Sequence, residues 1–296
     1  MNKNYFKLKI IYLPFIIISL INIIICNILK WILTINHIIL NDNWFSLFIP
    51  FSISILTLYI FVYKKLKLLK INFWRKNQHL LYFIIISILN AITILFSQEY
   101  IEKKTFGIKH VQNCEEIKLF KNELYFSIES YKTKVDSLFL YHEEKIKSST
   151  RYRYQDEIEY RLYLTKPMDK CSNIWYSSFY SETVGNNQKS NDYFLRNFIK
   201  RNKEKFKNEN KIHYFKNVNY STKINGFLKA INKGNNEKKS IDIFLMTEKG
   251  SFTENLSYSL SLFLYTLFTE VIIVFILVII PKLNTAGLKK RKANTG

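Results

Sequence analysis

Apolar residues along this chain gather into four long runs separated by strongly polar ground. Residues 10–29 are almost wholly apolar, 45–63 and 80–97 are nearly so, and 257–280 forms a fourth run with a single charge, Glu270. At about 1.5 Å per helical residue, each run is close to or beyond the roughly 30 Å hydrocarbon core of a bilayer, and each predicts a transmembrane helix. The fourth run takes the chain back through the membrane after the polar stretch 98–256. The expected organisation is therefore three transmembrane helices within 1–97, an extracytoplasmic domain over 98–256, a fourth transmembrane helix over 257–280 and a basic cytoplasmic tail over 281–296.

Inside the polar stretch the periodicity changes twice. Alternation of apolar and polar residues predicts strands over 124–131, 135–141, 152–155, 158–164 and 174–180, with Pro167 closing the fourth. Phe194, Leu195, Phe198, Ile199 and Phe206 then recur at helical spacing, opposite a face rich in Lys, Arg and Asn. Ile224, Phe227, Leu228 and Ile231 define a second helix, with Ser221 or Thr222 as its cap and a turn from Gly234 after it. Residues 241–246 read as a last strand. Strands, two helices and a strand make an α+β domain with a mostly antiparallel sheet.

The formal net charge of +21 separates two readings of a basic chain. Segments 1–9, 64–76 and 281–296 hold fourteen basic residues and no acidic one. Short Lys/Arg clusters on alternating loops are the pattern of cytoplasmic loops, and they place both termini and 64–79 inside. Such clusters also suit anionic lipid. A nucleic-acid-binding domain would carry its positive charge on one folded face, so nucleic acid is not the expected partner. A cleaved signal peptide is the competitor for 10–29, but the run is long and Lys30 and Trp31 follow it where a small-residue cleavage site belongs. Pro14 and Pro50 lie early in their runs, where proline costs a helix least, and Trp31 and Trp44 flank the first outer connection.

Residues with chemistry are few. Cys26 lies in the first run and reads as an apolar filler. Cys114 and Cys171 are the two cysteines of the outer stretch, and either form one disulfide or remain two thiols. The histidines are scattered at 37, 79, 110, 142 and 213. His142-Glu-Glu lacks the second histidine of a zinc-protease helix, since Ile146 holds that position, and reads as a strand end or turn. Asp156, Glu157 and Glu159, interleaved with Arg153 and Arg161, read as a solvated, salt-bridged strand face. No phosphate loop, nucleophile elbow or cofactor motif is present in the sequence.

Glu270 is the residue that stands out. A carboxyl in a span is costly and should face a partner, line a cavity or stay protonated. Thr266 and Ser259 share its helical face, Ser19, Asn22 and Cys26 line one side of the first run, and Ser87, Asn90 and Ser97 one side of the third. Glu270 lies about 19 Å from the outer end of its run, a depth close to that of Thr57 and Ser87. For the intramembrane polar residues, Glu270, Asn90, Asn22 and Thr57 foremost, two readings follow: interhelical hydrogen bonding that holds a four-helix bundle together, or a proton or ion relay through Glu270. With a single acid at that depth, the first is favoured.

The chain also resembles the N-terminal membrane region of some bacterial rhomboid-family intramembrane serine protease proteins. The residues that carry the resemblance run in order: Tyr12-Leu-Pro-Phe15, Ile49-Pro-Phe51, Lys67-Leu-Leu69 with Asn72-Phe73, Gln98-x-Tyr-Ile-Glu102, Ile174-Trp175, Phe206-Lys-Asn208, Tyr214-Phe215, Gly226 with Ala230-Ile231, and Ile279-Ile-Pro-Lys282. The family's serine–histidine machinery has no counterpart here, because the sequence holds no Gly-x-Ser and no histidine within a run. The resemblance implies a location, and a separate rhomboid-type protease as partner, rather than catalysis. The leading expectation is a non-catalytic membrane protein whose outer domain binds or senses an extracytoplasmic protein or peptide. The front half of a protease and a relay through Glu270 are the alternatives.

Overall fold

The computed structural model describes residues 3–35, 47–70, 78–133, 137–147, 157–171, 173–185, 188–208, 214–219, 221–232 and 242–283. The expected strand 152–155, the start of the expected strand at 135, the 36–46 connection, the turn from Gly234 and the tail beyond 283 lie outside those residues. The chain divides into two compact units, one made of Met1–Thr105 with Asn255–Gly296 and the other of Phe106–Glu254.

The first unit contains four helices long and apolar enough to cross a membrane: Lys3–Leu33, Ile49–Leu66, Gln78–Phe106 and Phe252–Ile279. The third runs on past Ser97, so 98–105 is helix rather than the start of the polar domain, and the fourth begins ahead of residue 257. In the first helix, residues Leu8–Tyr12 form a π-helical turn just before Pro14, with the Leu13 N–H bonded to the Leu8 carbonyl. Pro14 has no N–H to give to residue 10 and its ring crowds that carbonyl, and a widened turn accommodates both defects.

Apolar contacts join all four helices at two levels. Ile11, Phe15 and Ile18 pack with Leu58 and Val62, with Phe83 and Ile86, and with Val274 and Val278. Ile23, Cys26 and Ile94 form a second cluster with Ile53, Phe263 and Leu267. Cys26 is thus an apolar filler among apolar neighbours. At one end of the unit the buried Lys7 ammonium donates to the Pro281 carbonyl at 2.9 Å and to the Ile279 carbonyl, serving acceptors that a helix C-terminus leaves open. A two-residue antiparallel ladder, Leu69 with Leu283 and Lys70 with Lys282, closes the same end. Towards the other end, Lys30 pairs with Glu102 at 2.9 Å, and Ser259 binds Glu99 at 3.1 Å and Lys103 at 2.9 Å. The N-terminus, the 64–70 segment and the start of the tail therefore share one end of this unit.

The second unit is built on a seven-stranded sheet: β1 Lys109–Val111, β2 Tyr125–Ile128, β3 Phe139–Lys147, β4 Glu157–Pro167, β5 Ile174–Gly185, β6 Tyr214–Asn217 and β7 Ile243–Glu248. Their order across the sheet is β1-β2-β6-β7-β5-β4-β3. Four of the neighbouring pairs are antiparallel, while β1/β2 and β5/β7 are parallel.

Both faces are covered: β4 turns an apolar set to one and Tyr163 to the other. Ile158, Tyr160, Leu162 and Leu164 share a core with Phe198 and Phe206 of the helix Gln188–Lys207. Tyr163 packs on the other face with Phe227 and Ile231 of the helix Ile224–Asn232. Each such ring or branched side chain contributes roughly 1.5–3 kcal/mol on burial. Gly226 lies so close to the Tyr163 ring that a Cβ there would overlap it. Burial pushes the Tyr163 phenol above its ordinary pKa, with Glu143 adding to the effect.

His142-Glu-Glu is not a strand end or turn; it lies in the middle of β3. The reason is cross-strand charge. Glu143 sits opposite Arg161 and Lys145 opposite Glu159, and Arg161 also bonds Glu159 at 2.9 Å. Opposite charges directly across an antiparallel pair favour strand pairing where apolar alternation is lacking.

Candidate functional site

Between the two apolar levels of the four-helix unit lies a polar one, to which every helix contributes. Ser19 and Asn22 follow Ile18 on the first helix, Ser54 and Thr57 lie one turn apart on the second, Asn90 and Thr93 face them from the third, and Glu270 comes from the fourth. Asn90 is the hub. Its amide nitrogen donates to Ser19 Oγ at 2.6 Å and to Glu270 Oε1 at 3.1 Å. Its oxygen accepts from Asn22 at 3.0 Å and from Ser54 at 2.6 Å. Ser19 donates to the same Glu270 oxygen at 2.9 Å, and Asn22 also donates to Thr57 at 2.9 Å. Glu270 is 1 % exposed and Asn22 and Asn90 are fully buried.

The structure thus joins Glu270, Asn90, Asn22 and Thr57 in one network. Ser54 was missed, although its spacing of three from Thr57 placed it on the same helical face. Other expected neighbours do not join. Thr266 donates to the Phe263 carbonyl of its own helix, Ser259 belongs with Glu99, and Ser97 binds Asn27 at 2.9 Å. Ser87 is buried, with no hydrogen-bond partner among the described residues. A single carboxyl enclosed by hydroxyls and amides is suited to holding helices in register.

The sheet unit holds the second site, a cleft of about 820 Å³. Its walls are Asn113–Glu115, Glu129–Thr133 and the turn after β4, with Lys166, Tyr176 and Lys207 also lining it. Cys114 and Cys171 form a disulfide, Cα atoms 6.1 Å apart, that ties the first wall to the turn. Main-chain bonds tie the others: Ser130 to the Gln112 carbonyl at 3.2 Å, and Asp169 to the Lys132 carbonyl at 2.7 Å. Asn113 caps the short 3-10 helix Cys114–Phe120 by accepting from the Glu115 and Glu116 amides.

Lys166 is 9 % exposed, its ammonium 4.7 Å from the Tyr176 ring centroid and 5.0 Å from that of Phe206. Lys170 stands in the left-handed region with φ of 60°, and its amide donates to the Asp169 carboxylate at 3.1 Å. The cleft offers ammonium groups, carboxylates and the Tyr131 ring on a fixed frame, the equipment for holding a polar chain segment. Nothing in the sequence pointed to it beyond the two cysteines, since its lining comes from five separate segments.

Compared with protein families, with curated proteins and with solved structures, the chain matches none. Several of the short motifs singled out in the sequence hold structural positions in this fold. Pro14 follows the π turn, Pro50 opens the second helix, Trp175 Nε1 donates to Asp242 at 3.0 Å, and Gly226 abuts Tyr163.

Proposed function

We propose that the chain is a non-catalytic multi-pass membrane protein. Its termini and the 64–79 loop lie in the cytoplasm, and the Phe106–Glu254 unit outside binds or senses a protein or peptide. Four long apolar helices support membrane insertion. The basic residues shared by 3–9, 64–70 and Lys282 support that end as the cytoplasmic one. The Cys114–Cys171 disulfide supports an oxidising compartment for the sheet unit.

The observation that carries the binding reading is the cleft beside that disulfide. Its size falls in the range of ligand sites, its walls are pre-tied, and its lining mixes both charges with aromatic rings. Such a surface pairs with the backbone and charged side chains of a polypeptide.

Photo-crosslinking tests it. A benzophenone amino acid replaces Tyr131 in the cleft or the exposed Ile146 on β3, in full-length protein in native membranes. Specific adducts with an extracytoplasmic polypeptide at 131 alone are expected. Adducts at 146 alone would move the site to the sheet edge, and none at either position would overturn the binding reading.

A further inference from the structure

The ladder that pairs Leu69 with Leu283 also sets Lys70 directly opposite Lys282. Opposed residues in an antiparallel pair project from the same face with Cβ atoms about 5 Å apart. Leu69 is buried with Ile11, Leu66 and Val278, so the leucine face of the ladder turns to the helix core. The other face carries Lys70 and Lys282, both exposed. Like charges directly opposite one another oppose strand pairing, and a two-residue ladder has little else of its own to offset them.

The surroundings show what would reconcile the pair. Lys3, Lys9, Lys64 and Lys67 are also exposed in the segments at this end, and segments 3–9, 64–70 and 280–283 contain no acidic residue. Ile280, at the end of the fourth apolar helix and two residues before Lys282, is 74 % exposed. An anion with an apolar body attached matches both features, and at the end of a membrane-spanning helix that is an anionic phospholipid.

We propose that Lys70 and Lys282 together hold the phosphate of an anionic phospholipid headgroup, while Ile280 lies against its acyl chains. The phosphate supplies acceptor oxygens to both ammonium groups. It converts a repulsive cross-strand pair into a bridge that fastens the start of the tail to the 64–70 segment. The buried Lys7, donating to the Pro281 and Ile279 carbonyls, takes no part in this and fixes the approach of the tail from beneath. The inference holds whatever the outer domain binds and requires only that the four helices enter a bilayer.

Amide hydrogen exchange on the full-length protein in nanodiscs is the test. In wild type, replacing phosphatidylcholine by a mixture with phosphatidylglycerol is expected to slow exchange at residues 69–70 and 282–283 about fivefold, the scale of one relieved like-charge pair. In a Lys70→Gln/Lys282→Gln variant, exchange there is expected to be slow already in phosphatidylcholine and insensitive to phosphatidylglycerol. Equal wild-type exchange in both lipids would overturn the proposal. Slowing by free inorganic phosphate in phosphatidylcholine, to the same extent, would overturn the assignment to lipid. A variant that still responds to phosphatidylglycerol would show that other lysines hold the headgroup.

Discussion

The amide of Asn90 donates to Glu270 Oε1 at 3.1 Å, linking the third and fourth apolar helices at the level where the first and second contribute Ser19, Asn22, Ser54 and Thr57. One carboxyl oxygen accepts from two helices, and one asparagine touches all three of its neighbours. The geometry makes the network a fastening, and the consequences of cutting it differ by residue.

Glu270→Gln keeps a carbonyl oxygen where Ser19 and Asn90 donate, and thermal unfolding in nanodiscs is expected to change little. Glu270→Leu leaves both donors without their acceptor and is expected to cost about 1–3 kcal/mol. Asn90→Leu cuts four bonds and should be the most damaging of the three. Equal stability of Glu270→Leu and wild type would contradict the fastening role.

Gly226 is required by the ring of Tyr163. Gly226→Ala is expected to destabilise the sheet unit by about 1–3 kcal/mol through overpacking. Shrinking the ring should restore part of the loss, so Gly226→Ala/Tyr163→Leu would be more stable than the sum of its single changes predicts. Strict additivity in the unfolding midpoints would argue that the two positions do not meet.

The Cys114–Cys171 bond closes a loop across a sequence separation of 57 residues. The chain-entropy contribution for a loop of that length is about 4 kcal/mol. Reduction, or Cys114→Ser/Cys171→Ser, is expected to lower the unfolding midpoint of the sheet unit and to loosen the cleft. Peptide mapping without reductant checks the pairing itself.

Asn219 carries a second fastening, in the sheet unit. Its amide donates to the Asp242 carbonyl at 2.7 Å and its oxygen accepts from the Phe244 amide at 2.8 Å, pinning the start of β7. Asn219→Ala leaves both backbone groups unserved and is expected to cost about 1–3 kcal/mol. An unchanged midpoint would remove this role.

What the sequence disclosed follows the range of each interaction. The four apolar helices, and the helices Gln188–Lys207 and Ile224–Asn232, were readable because a helix writes its pattern within a few residues. β4 and β5 showed period two for the same reason, whereas β3 was legible only at its start, within the expected strand 135–141, because Glu143, Glu144 and Lys145 beyond it depend for their pairing on Glu159 and Arg161 in another strand. The strand order, with β7 parallel to β5, depends on partners some seventy residues away and leaves no local mark. Of the polar centre, Glu270, Asn90, Asn22 and Thr57 stood out as polar residues in apolar surroundings. Which of their neighbours joined them was set by helix rotation, and so Ser54 entered while Ser87 and Thr266 did not.

Membrane sidedness carries the account, and thiol labelling reads it directly. In a Cys26→Ser background, a cysteine replaces either Leu119, 79 % exposed in the sheet unit, or the exposed Lys67 beside the basic ladder. Intact cells are then treated with a membrane-impermeant maleimide. The expected result is labelling of the residue-119 cysteine in intact cells, and of the residue-67 cysteine only after permeabilisation. Labelling of position 67 from outside with position 119 protected would invert the topology, place the cleft and its disulfide in the cytoplasm, and contradict the account.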